Sequence, residues 1–171
     1  MEIVTARLTL QALTTAYLET THAYASDAAL CRYMMRLPND TEEETRRFLE
    51  GCEAEWAKAE PLFYEFAVLL DGAHIGACSL YLDEARDTGE LGWILRREAH
   101  GRGYATEAAA AVVDFGRGLG LRRIIAHCDA ENAASQGVMR RLGLTLVDDN
   151  GFRFSRTFAT ERRECLYALS L

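Results

Sequence analysis

Hydrophobic and polar positions alternate with two distinct periods along this chain, and the switch between them sets its elements. Residues 7–12 alternate as a strand, with Leu8, Leu10 and Ala12 on one face and Thr9 and Gln11 on the other. Residues 14–25 read as a short helix. The run Thr41, Glu42, Glu43, Glu44 is a capping-box pattern with acids in the first turn. Phe48, Leu49, Cys52 and Trp56 follow three or four apart, as one apolar helical stripe that stops before Pro61. Residues 62–70 and 73–82 predict two strands joined by Asp71 and Gly72, a pair suited to a two-residue hairpin because both central positions need positive φ. Another strand is expected over residues 90–95, after a polar turn at 83–87.

The second half changes character. Residues 103–118 predict a helix with Tyr104, Ala108, Ala111, Val112 and Phe115 inward, stopped by the glycines at 116, 118 and 120. A strand (123–128), a helix (133–142, closed by Gly143), a short strand (145–147) and a last strand (165–171) complete the chain. This spacing implies a crossover unit and a locally parallel pair. The expected fold is therefore a mixed α/β (α+β) structure: about seven strands, mostly antiparallel, with a parallel central pair and flanking helices. No repeat or Pro/Gly-rich linker interrupts it, so residues 1–171 are read as a single domain.

Composition narrows the function classes. The net charge of −7 argues against a nucleic-acid binder, which needs a basic face to displace counterions. No apolar run approaches the ~20 residues needed to cross a bilayer. Residues 1–10 lack the basic-then-apolar layout of an export signal. The five cysteines are odd in number and form no CxxC, as expected of reduced thiols buried in a cytoplasmic protein. The four histidines show no ligand spacing with one another or with cysteine, so no metal is expected.

The most informative residues are His100, Gly101, Arg102, Gly103, Tyr104 and Ala105, between a strand and a helix. Gly101 and Gly103 allow a sharp turn that aims several N–H groups at one point. The helix start adds unpaired amides and the positive end of its dipole, which suits a phosphate or diphosphate. Arg96, Arg97 and Arg102 offer countercharge. A P-loop is excluded because Lys58 is the only lysine. The dinucleotide fingerprint fails because Thr106 stands where its third glycine belongs.

A second segment lies one strand further on: Asn132, Ser135, Met139, Arg141, Gly143, Leu144. The two segments together resemble the GNAT superfamily of acyl-CoA N-acyltransferases. The first is similar to its diphosphate loop (Gln/Arg)-x-x-Gly-x-(Gly/Ala), with His100 in the first position. The second resembles Asn-x-x-(Ala/Ser)-x-x-x-Tyr-x-(Lys/Arg)-x-Gly-Phe, with Met139 for Tyr and Leu144 for Phe. Residues 6–10, 41–49, 74–76, 91–93 and 166–169 look like the RimJ/RimL branch, which includes ribosomal-protein N-terminal acetyltransferases and often carries Ser in place of the catalytic Tyr.

The resemblance implies the GNAT fold, acetyl-CoA as acyl donor, a primary amine of a protein N-terminus or small molecule as acceptor, and direct attack in a ternary complex. It places the donor on Trp93, Ile94, Leu95, Arg97, His100, Gly101, Arg102, Gly103, Tyr104, Ala105, Thr106, Asn132, Ser135 and Arg141. The arm of the donor is expected to pair like an extra strand with Trp93 to Leu95. Ser135 is the candidate to protonate the leaving sulfur, and Glu90 the candidate base, directly or through a water chain. The rival reading is a non-catalytic acyl-CoA sensor with the same fold. A homodimer is compatible with both.

Overall fold

The computed structural model describes residues 1–35 and 37–171. Eight strands form one sheet: β1 (Glu2–Val4), β2 (Leu8–Ala12), β3 (Phe63–Leu70), β4 (Ala73–Leu82), β5 (Thr88–Leu95), β6 (Arg123–Asp129), β7 (Thr145–Ser155) and β8 (Thr160–Ser170). Among the described residues, four α-helices accompany it: α1 (Leu18–Ala25), α2 (Glu42–Trp56), α3 (Tyr104–Gly118) and α4 (Ala133–Arg141). The strand order is β1-β2-β3-β4-β5-β6-β8-β7. Every pairing is antiparallel except β5 with β6, which is the expected mixed sheet with one parallel pair.

Local chemistry explains most element ends. Thr41 caps α2 by accepting a hydrogen bond from Glu44 N–H at 3.2 Å, worth about 1 kcal/mol. Glu44 reaches back one residue further than a simple capping box, to Asp40 N–H. At the β3–β4 turn Asp71 and Gly72 take φ of 49° and 79°, the doubly left-handed turn that matches strand twist. Helix α3 drops its inward stripe onto the sheet: Tyr104, Ala108 and Val112 are buried against Leu80, Leu91 and Ile124. Leu49 of α2 closes the other face, over Leu13, Ala67 and Ala77.

The structure departs from the sequence expectations at four places. β1 is an additional strand, paired with β2 from Glu2↔Gln11 to Val4↔Thr9; its three residues are too few to show a period. The segment 14–25 opens with a 3-10 turn before α1 begins. The strands expected at 145–147 and 165–171 are the ends of a long hairpin, β7 and β8, that absorbs most of the segment between them. Phe48 does not join the α2 stripe: it is 41% exposed and faces a cavity instead.

Candidate functional site

The parallel register between β5 and β6 lasts for three pairs only, Thr88↔Arg123, Gly89↔Ile124 and Glu90↔Ile125. Both strands continue for several residues, so they part beyond Glu90. Among the described residues, the β6-facing backbone edge of residues 91–95 is left without a ladder partner, although its other edge is paired with β4. Such an edge is a template for an extended ligand carrying amides. A cavity of about 550 Å³ opens at this parting and extends under α1, α2 and the β7–β8 hairpin.

One end of β5 leads to the glycine-rich loop. Gly101 and Gly103 have φ of 72° and 80°, left-handed values that cost any side-chain-bearing residue about 1 kcal/mol or more. A Cβ on Gly101 would meet nothing within 4 Å, so backbone conformation rather than space requires glycine there. The first bond of the α3 region runs from Glu107 N–H to Gly103 O at 3.0 Å. The amides of Tyr104, Ala105 and Thr106 thus have no intrahelical acceptor. The loop is braced from behind. Glu107 accepts from Thr5 Oγ1 (2.7 Å), Arg7 N (2.8 Å) and Arg7 Nε (2.6 Å), and Arg7 donates to Arg102 O at 2.9 Å. The same guanidinium lies over the Tyr104 ring, 4.5 Å from its centre. His100 Nε2 is 2.8 Å from Leu95 O, which ties the loop to the end of β5.

Arg97 stands differently from its expected place. Its guanidinium makes a two-point pair with Asp27, 3.0 Å at each contact, and holds that carboxyl down to about 2. Arg141 lies exposed at the far end of α4. Arg102 is exposed on the loop itself.

At the other end of the parting, Glu90, Trp93, Ile94, Asn132 and Ser135 line the cavity together. Asn132 caps α4, accepting from Ser135 N–H at 3.1 Å. Met139, at the position where the resemblance has Tyr, is buried in the core at 1% exposure. Glu90 Oε1 lies 2.9 Å from His127 Nδ1, and Arg153 approaches the same oxygen at 3.9 Å.

His127 escapes a search for metal spacing, but its signal is the alternation of β6: Ile124, Ala126 and Cys128 are buried while Ile125, His127 and Asp129 are less so. Pairing of Glu90 with Ile125 then puts His127 two residues further along the same face. Cys128 also lines the cavity, but burial pushes its thiol up to about 12, which makes it a poor nucleophile. Among the described residues, no cluster of three His, Cys, Asp or Glu side chains could hold a metal.

Glu65 is the other residue without a sequence expectation. It lines the same cavity, is only 7% exposed, and accepts a hydrogen bond from Tyr81 Oη at 2.7 Å. Burial raises its carboxyl to about 7 despite that bond. It was detectable as the one charged residue in the apolar run of β3.

Comparison with known proteins agrees with this arrangement. The acetyltransferase (GNAT) domain family matches residues 7–145. The chain is 30% identical over 147 residues to YnaD, an uncharacterized N-acetyltransferase of Bacillus subtilis strain 168, across 84% of this chain and 82% of that one. The crystal structure of a GNAT-family acetyltransferase from Bacillus anthracis is 28% identical with a TM-score of 0.82, covering 99% and 98% of the two chains. RimL, a ribosomal L7/L12 alpha-N-protein acetyltransferase solved with coenzyme A, reaches a TM-score of 0.86 over 99% and 97% at 19% identity, a likeness of fold. The parted strands, the amide-rich start of α3 and the matched family together make this chain a member of the GNAT acetyltransferase family, an acetyl-CoA-dependent N-acetyltransferase.

Proposed function

We propose that the enzyme transfers the acetyl group to a primary amine, of a protein N-terminus or a small molecule, by direct attack in a ternary complex at the parting of β5 and β6. The observation that carries this reading is the convergence of Glu90, His127 and Ser135 on one cavity, with free amides at the loop beyond the end of β5. Acetyl-CoA fits the residues present. The amides from Gly101 to Thr106 face no intrahelical acceptor and suit a diphosphate, with Arg102 adding charge. The open edge at Trp93, Ile94 and Leu95 suits an amide-bearing arm. His100 and Tyr104 serve the loop by bracing it, through Leu95 O and Arg7. Asn132 retains its side-chain N–H₂ as a donor while its oxygen caps α4. Arg97, committed to Asp27, and Arg141, remote at the end of α4, are left with outer roles at most.

Three residues divide the chemistry. Glu90 and His127 form a hydrogen-bonded pair able to take a proton from the incoming ammonium, directly or through water; this leaves a neutral amine to attack the thioester carbonyl. Backbone N–H groups of the open β5 edge stabilise the oxyanion that develops. Ser135 donates its hydroxyl proton to the departing sulfur as the carbon–sulfur bond breaks, and regains one from the nitrogen of the new amide, directly or through water.

Mixing the protein with acetyl-CoA and a panel of amines tests this, with released thiol and the mass of each amine as readouts. An acetylated amine matched by one free thiol supports the reading. Tight acetyl-CoA binding with no thiol release from peptides, polyamines or amino acids would replace it with a sensor.

A further inference from the structure

We infer that the floor of this cavity reads a second, protonated amine on a small acceptor, and that Glu65 is the residue determining that specificity. This inference rests on the acceptor site proposed above and names its substrate class. Glu65 lies on the same sheet face as Glu90: Glu65 pairs with Ser79 and Tyr81 with Glu90, on strands β3, β4 and β5. It is not a remnant of surface charge, since its side chain is buried. Two further hydroxyl-bearing residues, Thr21 and Tyr24, line the same cavity. These residues are 1% and 4% exposed. The two hydroxyls neighbour each other, and neither has any other partner among the described residues.

Paired only with each other, the two hydroxyls keep acceptor capacity unused beside a buried carboxyl, which packing alone does not require. Tyr24 is near enough to Glu65 to feel its charge. The set presents three acceptors, and an alkylammonium has three donors and no acceptor. A monoamine could not use it. Neither could a neutral apolar tail, which would leave all three groups dry and that capacity unused. Burial already pulls the Glu65 carboxyl up to about 7, and an ammonium beside it would restore the carboxylate.

The strand register also sets a length. Two strand spacings sideways and two residues along place the Cα atoms of Glu65 and Glu90 about 12 Å apart. Subtracting a hydrogen bond at one or both ends leaves about 6–9 Å between the two nitrogens, the span of roughly four to six carbons.

The experiment compares n-butylamine, 1,4-diaminobutane, 1,5-diaminopentane and a short peptide with a free N-terminus, at saturating acetyl-CoA. Binding of each diamine to the CoA-loaded protein is followed by calorimetry. We expect kcat/KM for the diamines to exceed that for n-butylamine by about tenfold or more. Glu65→Gln should bring that ratio close to one while acetyl-CoA affinity stays within about twofold. Tyr24→Phe, which removes a single acceptor, should lower the ratio by a few fold. A ratio unchanged in Glu65→Gln overturns the inference, as does wild-type turnover confined to the peptide or to n-butylamine; either leaves the acetyltransferase reading intact. Absence of thiol release from every amine would instead sink the proposed reaction. In that case calorimetry still decides: diamine binding abolished by Glu65→Gln supports the second-amine site, and no diamine binding refutes it.

Discussion

The buried carboxyl of Glu65 gives the enzyme a pH-dependent weakness that a single substitution should remove. Folding moves this group from an ordinary 4.5 to about 7, with burial as the leading cause. In that window the folded chain holds a proton that the unfolded chain has released, so stability falls as pH rises from about 4.5 to 7. Below the window both states are protonated and nothing is lost. Above it the whole difference applies: the distance from 4.5 to about 7, at ~1.4 kcal/mol per pH unit, is about 3 kcal/mol. Glu65→Gln keeps the shape and an acceptor for the Tyr81 hydroxyl but cannot ionise. Urea denaturation of both proteins at pH 4.5 and pH 8.5 isolates the effect, because every other titrating group cancels in the difference between them. We expect the variant to gain about 2–3 kcal/mol on the wild type between the two pH values. A variant that matches the wild type at pH 4.5 would then be the more stable protein at pH 8.5 and the less selective enzyme, a trade expected of a residue kept for function. A stability difference that stays the same at both pH values would refute the argument.

Other expectations follow from single contacts. Ser135→Ala should lower kcat by about 10–100-fold with little change in acetyl-CoA affinity, measured by steady-state kinetics and calorimetry; unchanged turnover would remove Ser135 from its role. Glu90→Gln and His127→Ala should each cost roughly 100-fold in kcat/KM for the amine, and the double variant should lose far less than the product of the two because the pair acts as a unit. Gly76→Ala should unfold far more easily, by about 3 kcal/mol or more. Its Cβ would stand 2.2 Å from Ile94 O at a φ of +153°, and thermal melts would register the loss.

How legible this was from the sequence depended on the range of each signal. The β3–β4 hairpin and helices α2 and α3 follow from local chemistry: a turn pair, a capping threonine, an apolar stripe. The glycine-rich loop is equally local, since glycines with positive φ and a helix start lie within a few residues. Strand β1 was obscured by its length of three residues, and the long arms of β7 and β8 because the outer hairpin is largely exposed. Phe152 and Phe154 of β7 are 64% and 60% exposed, so no buried face imposes a clean period on them. The site was legible along one element at a time. Ser135 and Asn132 stand out within α4, and Glu90 at the start of its strand. His127, Arg153 and Glu65 are tied to Glu90 only by pairing between strands, which brings together residues 37, 63 and 25 positions from it. Arg97 illustrates the reverse: its place beside the loop in sequence suggested a diphosphate contact, but Asp27, 70 residues away, holds it.

The central claim is that amides at the start of α3 hold the diphosphate of coenzyme A while its thiol end reaches the parting of β5 and β6. Calorimetric titration of the folded chain with acetyl-CoA and with acetyl-pantetheine, which lacks the diphosphate and the nucleotide, tests it most directly. We expect saturable one-to-one binding of acetyl-CoA and an affinity for acetyl-pantetheine lower by roughly a hundredfold or more. Equal affinities, or no uptake of acetyl-CoA at all, would contradict the account.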